Sequence, residues 1–281
     1  MKHQIFFSID VEEWFQVENL KKAIPRSSWS NQVFRVEGSL RLILEIFETF
    51  DIKATFFVLG WVAKRNPALV RFIYDHGHEI ACHGYSHNII SNQTCEEFRK
   101  DISDSKNMIE DIISDKVIGY RAPSFSITDW SIDILKEAGF VYDSSLFPFK
   151  MHDRYGRIQR KKTIIENNIF EFDNGLLEFS LPVLNLLNIN VPLAGGFYFR
   201  FFPYWLFRYG INANINLKNN FVFYLHPWEI DYEQPKLRQL GCLYKFRHYW
   251  NIKKTRHKLK KICTDYGSCL IREKALILRG G

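Results

Sequence analysis

The feature that most constrains the fold of this chain is an alternation of short apolar runs with amphipathic segments over residues 4–145. Runs such as residues 4–9 and 54–59 are typical of strands that are buried on both faces, while the segments between them repeat their apolar residues at helical spacing. Neighbouring parallel strands need a long crossover connection, which is usually a helix. The order therefore predicts an α/β fold whose mostly parallel sheet is covered by helices.

The individual elements have local signals of their own. Ser39 and Thr94 are the predicted N-caps of two helices, and Thr94 is followed by Glu97 as a capping box requires. The predicted strands are 4–9, 54–59, 79–82, 117–120, 140–142 and a late strand, 221–225. The predicted helices are 39–50, 66–77, 94–113, 129–138 and a basic helix, 243–266.

Ionisable residues follow the predicted strands at the points where the strands end. They are Asp10 and Glu12, then His83 and His87, then Arg121, Asp143 and His226. In barrels of parallel strands these ends converge on one mouth, which is where active sites lie. Packing alone does not explain so many ionisable residues at strand ends, so the sequence predicts a functional site there.

Two of these residues have the spacing of metal ligands. His83 and His87 are four residues apart, and a helical turn would point both imidazoles the same way. A carboxylate from Glu12 would complete a site of two histidines and one carboxylate, with Glu13 as the competing carboxylate. Such a site keeps positions open for water and substrate, which is the catalytic pattern. We expect one divalent metal ion, with Zn²⁺ first and Co²⁺, Mn²⁺ or Ni²⁺ as alternatives.

Five segments of the chain resemble the NodB-homology polysaccharide deacetylases, carbohydrate esterase family 4. They are residues 6–12, 83–87, 121–124, 142–144 and 225–227. Residues 10–15, 195–200 and 226–231 further resemble the branch of that family encoded with exopolysaccharide and exosortase loci, which ends in a basic helical extension. The resemblance implies an incomplete, distorted (β/α) barrel. It also implies a NodB-like catalytic domain over 1–235 and a basic, mainly helical C-terminal extension over 236–281 packed on it.

The resemblance also implies roles for individual residues. Asp10 is the expected general base, Arg121 its orienting partner, and His226 the general acid that protonates the leaving amine, while Asp143 would tune His226. Glu12, His83 and His87 fall at the positions of the metal ligands. One departure is that Asp10 and Glu12 are separated by Val11, whereas most family members have adjacent aspartates.

The implied reaction is the removal of an N-acetyl group from an amino sugar. The substrate would be an N-acetylated oligo- or polysaccharide or its precursor, in exopolysaccharide, capsule or cell-envelope glycan biosynthesis. A backbone N–H just after Pro123 would help to hold the oxyanion. The residues expected at the substrate are Trp14, Pro123, Ser124, Phe197 and Trp228.

Two other functions are compatible with the sequence. One is a hydrolase of small cyclic or linear amides on the same fold, like an allantoinase or an imidase, some of which work without metal. The other is a non-catalytic carbohydrate-binding protein of a polysaccharide assembly complex. Bound metal with acetate release would argue against both.

The C-terminal part of the chain carries most of the positive charge. Residues 236–281 contain 13 Lys/Arg and 2 Asp/Glu, so the net charge of +7 divides into +11 for this part and −4 for the rest. A basic extension suggests contact with a membrane surface or an anionic glycan, and we expect no nucleic acid partner. The expected contact residues are Lys253, Lys254, Arg256, Lys258, Lys260 and Lys261. The alternative is a helix that packs through Leu259, Ile262 and Tyr266 and merely exposes its lysines.

The sequence features that bear on cellular location indicate a reducing compartment. The five cysteines form no C-x-x-C pair, which argues against a disulfide framework. Acidic residues follow the first apolar run at once, so we expect no signal peptide. Asparagines, prolines and glycines interrupt the uncharged stretch 179–199, so we expect no transmembrane helix. We therefore predict a cytoplasmic protein, peripheral at the inner membrane face if the basic extension binds there; the sequence is also compatible with a homo-oligomer.

Overall fold

The computed structural model describes residues 2–149, 156, 158–186 and 189–280. Within them the strands are β1 Gln4–Val11, β2 Thr55–Val58, β3 Glu79–Cys82, β4 Gly119–Tyr120, β5 Tyr142–Asp143, β6 Lys162–Glu166, β7 Ile169–Phe172, β8 Leu177–Phe179, β9 Val183–Leu186, β10 Ile189–Pro192, β11 Val222–Leu225 and β12 Gly267–Cys269. The α-helices are α1 Val36–Thr49, α2 Gly60–Arg65, α3 Pro67–Asp75, α4 Cys95–Ile113, α5 Asp129–Glu137, α6 Gly196–Phe201, α7 Tyr204–Asn216, α8 Cys242–Tyr249, α9 Ile252–Asp265 and α10 Ile271–Leu278.

The main sheet is an open, mostly parallel barrel wall. Its order is β11-β1-β2-β3-β4-β5-β8-β7-β6, and every pairing from β11 to β8 is parallel, while β7 and β6 continue it antiparallel. β12 adds a second parallel pairing to β1. Because β11 and β6 are the two ends of this order, the sheet does not close within the described residues. This arrangement confirms the predicted incomplete (β/α) barrel.

Strand β1, which has a neighbour on each edge, explains the strongest sequence signal. Phe7, Ile9 and Val11 of β1 are fully buried, as expected for a strand paired on both edges and covered by helices. Phe7 meets Phe47 of α1 at a ring-centroid distance of 5.9 Å and Phe223 of β11 at 5.7 Å. These contacts fix β1 between its neighbours, and so fix the position of whatever follows it.

One predicted helix start is wrong and another is confirmed. Thr94 and Glu97 form the predicted capping box at α4. The helix predicted from Ser39 begins at Val36 instead, and Ser39 lies inside it. The reason is tertiary: Glu13, from the segment after β1, accepts hydrogen bonds from the backbone N–H groups of Arg35 and Val36 and satisfies the start of α1.

The single basic helix predicted at 243–266 is also wrong, because the chain forms α8 and α9 with a break between them. Asn251 adopts a left-handed conformation at the break, with φ 54°. The carbonyl oxygens of His248 and Trp250, on either side of the end of α8, accept hydrogen bonds from Arg200. Within α9, Leu259 and Ile262 are buried. The predicted division of the chain at residue 235 stays a prediction.

One member of the expected basic contact surface points inward. Lys258 is buried, and its Nζ donates to the carbonyl oxygens of Phe199, Arg200 and Phe202 at the end of α6. It therefore stabilises the packing of α9 on α6 and is not available to an external partner. No helix in the described part of the chain has both the length and the apolar composition needed to cross a bilayer.

Candidate active site

The polar residues that follow the strands gather at one end of the sheet. Asp10 is the last residue but one of β1, Glu12 directly follows the strand, and both are buried. A pocket opens beside them, and its lining comes from segments far apart in the sequence. Its walls include Asp10, Glu12, His87, Ser124, Phe197, Tyr198, His226, Trp228 and Arg247.

His83 and His87 are brought together by an irregular turn, and not by the helical turn considered for the sequence. Gly84 and His87 have φ values of 72° and 51°. Asp101 of α4 holds the turn by accepting from the backbone N–H groups of Tyr85 at 2.7 Å and Ser86 at 3.1 Å. A Cβ at Gly84 would lie 2.8 Å from Asp101 Oδ2, so this conformation and this close approach both require glycine. Sequence reasoning missed Asp101, because it looks like any polar residue on an amphipathic helix.

Glu12 faces both histidines. Its Oε1 lies 3.4 Å from His83 Nε2 and 3.3 Å from His87 Nε2, and all three side chains are buried. Burial alone would raise the pKa of Glu12, but His87 and His226 outweigh burial and hold this pKa well below its usual value. The site therefore contains a carboxylate anion next to two imidazoles.

Glu12 Oε1 and the Nε2 atoms of His83 and His87 are arranged as ligands of a divalent ion. The carbonyl oxygen of Arg121 lies 2.8 Å from His83 Nδ1 and can only accept, so Nδ1 carries the hydrogen and the Nε2 lone pair faces the site. His83 Nε2 is buried and makes no hydrogen bond within the described residues. Ligand atoms about 2.0–2.1 Å from a tetrahedral ion are roughly 3.3–3.4 Å apart, which is the spacing seen around Glu12 Oε1.

The competing carboxylate points elsewhere. Glu13 Oε1 accepts from the N–H groups of Arg35 at 2.6 Å and Val36 at 2.8 Å, and its Oε2 accepts from the N–H group of Trp14. Burial raises the pKa of Glu13 to about 7, against the opposite effect of these donors. Its contacts are those of a residue that organises the start of α1.

Asp10 is held by a buried arginine. Arg121 Nη1 donates to Asp10 Oδ1 at 2.7 Å and to Ser8 Oγ at 2.8 Å. The other guanidinium nitrogens donate to the carbonyl oxygen and the hydroxyl of Ser144 at 2.9 Å. Because Arg121 is completely buried and has several partners, it fixes the orientation of the Asp10 carboxylate. Sequence reasoning missed the supporting roles of Ser8 and Ser144.

His226 lies across the pocket from Asp10. Its Nε2 is 3.4 Å from Glu12 Oε1 and 3.9 Å from Asp10 Oδ2. Its Nδ1 lies 3.0 Å from Glu229 Oε2, and Glu229 in turn receives a 2.7 Å hydrogen bond from Arg200 Nε. Burial alone would lower the pKa of His226, but Glu12 and Glu229 raise it well above its usual value.

The carboxylate at Nδ1 of His226 is therefore that of Glu229, and not that of the predicted Asp143. Asp143 accepts from the hydroxyl of Ser145 at 2.6 Å and faces Glu178, whose pKa is raised well above its usual value by burial and by Asp143 itself. This buried pair supports the segment after β5. The signal for Glu229 lay in its position three residues after His226, within a short turn that begins with Pro227.

The predicted substrate residues divide into two groups. Ser124, Phe197 and Trp228 line the pocket, and Trp228 also stacks on His226 at 5.4 Å. Trp14 instead packs on Phe15 at 5.6 Å in a buried hydrophobic cluster and does not line this pocket. Pro123 is buried in the turn that carries Ser124.

Two families match adjacent parts of the chain. Residues 36–142 match the polysaccharide deacetylase family, and residues 144–275 match a domain of unknown function, DUF3473. The first region holds His83, His87 and Arg121. His226 comes from the second region, so both matched regions contribute to the same pocket.

Curated relatives match part of this chain. A peptidoglycan-N-acetylglucosamine deacetylase of Bacillus cereus is 34% identical over 98 residues, which are 35% of this chain and 46% of that protein. A peptidoglycan deacetylase of Helicobacter pylori is 28% identical over 129 residues, 46% of this chain and 44% of that protein. Chitin deacetylase 1 of Bombyx mori is 33% identical over 104 residues, 34% of this chain and 19% of that protein. The matches thus span less than half the length of these relatives.

Solved structures resemble the whole chain in fold. A Mycobacterium smegmatis protein provisionally assigned as a polysaccharide deacetylase superposes with a TM-score of 0.65 at 18% identity, covering 99% of this chain and 91% of that one. A CE4 family pseudoenzyme of Bacillus anthracis superposes with a TM-score of 0.52 at 16% identity, covering 98% and 66%. One of these neighbours is a pseudoenzyme, so the likeness in fold carries no conclusion about activity.

Proposed function

We propose that this chain, which contains a polysaccharide deacetylase domain over residues 36–142, is a metal-dependent hydrolase that removes N-acetyl groups from an amino sugar of a glycan. The observation that carries the proposal is the arrangement around one pocket. Asp10 with its arginine, Glu12 with two histidines, and His226 with its own carboxylate lie within hydrogen-bonding or near-contact distances of one another. A packed core has no need of this set of buried charges.

The metal ligands in this proposal are Glu12, His83 and His87. When bound there, a divalent ion supplies Lewis-acid polarisation of the acetamide carbonyl and of a water molecule. Arg121 supports both the metal site and the general base. Its carbonyl oxygen fixes the tautomer of His83, and its guanidinium orients the carboxylate of Asp10. Zn²⁺ stays our expectation for the ion.

The protein groups then move the protons. Asp10 accepts a proton from the attacking water, whose oxygen forms the new bond to the acetyl carbon. His226 Nε2 donates a proton to the amide nitrogen, so the carbon–nitrogen bond breaks with a neutral amine as the leaving group. The products are acetate and a free amino sugar. Glu229 keeps the Nδ1 hydrogen of His226 in place, which leaves Nε2 directed at the pocket.

The substrate we propose is an N-acetylated oligo- or polysaccharide. Phe197 offers aromatic surface at the pocket, a feature that suits the apolar face of a sugar ring, whereas the buried Trp228 ring is stacked between His226 and His248. The relatives named above act on peptidoglycan or chitin according to their names, and a role in exopolysaccharide or envelope glycan biosynthesis is our extension. Three expectations stay predictions: a cytoplasmic location, a homo-oligomer, and contact of the basic extension with an anionic partner. Because Lys258 is buried, five residues of the expected contact surface remain.

The test is acetate release from a panel of N-acetylated oligosaccharides, with and without a chelator. We expect activity that a chelator abolishes and a divalent metal restores. Asp10→Asn should lower kcat about 10²- to 10⁴-fold while the protein keeps its metal, since this is the usual contribution of a general base. Asp104→Asn, the same change at an exposed position on α4, is the matched control and should behave as wild type.

Each of the two alternative functions predicts a different result in this experiment. Chelator-resistant turnover of ureides or cyclic imides would assign the protein to the small-amide hydrolases. Binding of oligosaccharide without acetate release, whichever metal is present, would make it a non-catalytic member. Either result contradicts the proposal.

A further inference from the structure

A cluster of exposed apolar side chains lies beside the pocket on α6 and α8. Its members are Phe201, Leu243, Phe246 and Trp250, and we call it the α6–α8 patch. Phe246 meets Phe201 at a ring-centroid distance of 6.3 Å and Trp250 at 4.8 Å, and Leu243 lies one helical turn before Phe246. Leu243 is 67% exposed. A contiguous exposed cluster of large apolar side chains indicates an interaction surface.

The patch is continuous with the rim of the pocket through Phe197. This ring lines the pocket, stacks on Phe201 at 5.4 Å and contacts Phe246 at 6.0 Å. Arg247, the neighbour of Phe246, also lines the pocket, and its guanidinium carbon lies 5.5 Å from the centroid of Phe197. A surface bound to the patch would therefore lie at the entrance of the pocket.

The charged side chains on the helices of the patch have one sign. The chain has no Asp or Glu between residues 180 and 228, or between residues 234 and 264. These ranges include all of α6, α7 and α8 and nearly all of α9. Lys253 and Lys254, just after Trp250, are exposed, and Lys245 on α8 is partly exposed. The patch thus has an apolar centre, a basic margin and no acidic residue in the helices that form it.

We propose that the α6–α8 patch docks the protein on the surface of a phospholipid bilayer with anionic headgroups. Tryptophan, phenylalanine and leucine are the side chains that enter the interfacial layer, and lysines beside them attract anionic lipids. This proposal goes beyond the proposed function and does not depend on it. It differs from docking through the lysines of α9, because the apolar side chains of α6 and α8 provide the contact.

Two other occupants fit the patch less well. In a symmetric dimer the same surface meets itself, so the lysines of one copy would face those of the other with no acidic residue of α6 or α8 between them. A glycan chain binds by stacking on aromatic rings, yet Leu243, the most exposed member of the patch, has no ring. An anionic bilayer satisfies both the leucine and the lysines.

Vesicle co-sedimentation tests the proposal. The proteins are wild type, the double variant Leu243→Ser/Trp250→Ser, the single variant Leu243→Ser, and Ile277→Ser as the matched control. Ile277 is 70% exposed on α10, outside the patch. The vesicles are phosphatidylcholine alone and phosphatidylcholine mixed with phosphatidylglycerol.

We expect wild type and Ile277→Ser to partition onto the mixed vesicles, more weakly onto phosphatidylcholine alone, and more weakly at high salt. The double variant should partition about ten-fold less or worse, because burying one leucine side chain is worth roughly that ratio. The single variant should show part of the same loss, and it serves as the test if the double variant does not fold.

Several results would overturn the proposal. They are no vesicle binding by wild type, or equal binding by the patch variants. A dimer without lipid that the variants abolish would assign the patch to a second copy, and variant-sensitive binding to a soluble acidic polysaccharide would assign it to a glycan.

Acetate release from a soluble oligosaccharide, measured on the same proteins, should be unchanged by the patch variants. If wild type binds vesicles but releases no acetate, the proposed function fails and the docking proposal stands.

Discussion

Glu12 and Glu13 are adjacent buried carboxylates, and replacing each with alanine should separate metal binding from folding. The chemical change is the same at the two positions, but the surroundings differ. Glu12 faces His83 and His87 at 3.3–3.4 Å, whereas Glu13 accepts backbone N–H groups at the start of α1. Each variant is therefore the control for the other.

The cost of Glu13→Ala follows from the donors that it leaves behind. The N–H group of Val36 is buried and that of Arg35 is half-buried, and both would lose their acceptor. A buried donor without a partner costs about 1–3 kcal/mol. We expect a loss of about 2–4 kcal/mol in the free energy of unfolding, a large part of the roughly 5–15 kcal/mol typical of a folded protein. Metal binding should survive.

Glu12→Ala should have the opposite effect. It removes one of three proposed ligands, and even changes behind the ligands lower metal affinity by about 10–100-fold. We expect the variant to retain little metal after dialysis. In chelator, its free energy of unfolding should fall less than that of Glu13→Ala, because Glu12 caps no helix and the imidazoles that face it can lose their protons once the carboxylate is gone.

Two measurements check these expectations. Elemental analysis after dialysis gives the metal content, and denaturant unfolding in chelator at pH 8 gives the stability. The pH matters because the pKa of Glu13 is about 7, so its carboxylate accepts as an anion at pH 8. If Glu13→Ala loses the metal while Glu12→Ala keeps it, the assignment of the ligand is wrong.

Three further predictions concern the pocket and the C-terminal helices. Glu229→Gln removes the charge beside His226, so kcat should fall about ten-fold or more with little change in KM; an unchanged kcat would refute a positioning role. Lys258→Gln removes a buried donor to three carbonyl oxygens and should lower the free energy of unfolding by about 1–3 kcal/mol, against less than about 0.5 kcal/mol for the exposed Lys253→Gln; equal denaturant midpoints would contradict this. Burial lowers the pKa of His248 to about 3. Below pH 6.5 this histidine therefore binds a proton in the unfolded chain but stays neutral in the folded protein, and the free energy of unfolding falls as the pH drops from 6.5 towards 3. Between pH 6.5 and pH 5, His248→Gln should lose about 2 kcal/mol less stability than wild type; parallel pH profiles of unfolding would argue against the lowered pKa.

The fold class, and the end of the sheet where the pocket lies, follow from local features of the sequence. The apolar runs and the helical spacing are local signals, and each strand or helix carries its own. Polar residues that follow buried strands must lie at the carboxyl edge of a parallel sheet, so Asp10, His83 and His226 could be placed near one another before any contact was known. The capping box at Thr94 was predictable for the same local reason.

Contacts between distant segments were decided only by the tertiary structure. Ser39 looks like a cap, but Glu13 satisfies the start of α1 from another part of the chain. The sequence of the basic segment predicts one helix, but the chain breaks at Asn251, and the carbonyl oxygen of Trp250 beside the break accepts a hydrogen bond from Arg200. Lys258, in the second half of the segment, points inward and donates to the carbonyl oxygen of Arg200. Glu229, rather than Asp143, reaches His226 because the turn at Pro227 folds back on the histidine. These pairings depend on which donors and acceptors come together once the chain is packed, because buried polar groups must find a partner. The periodicity of the sequence does not determine which groups those are.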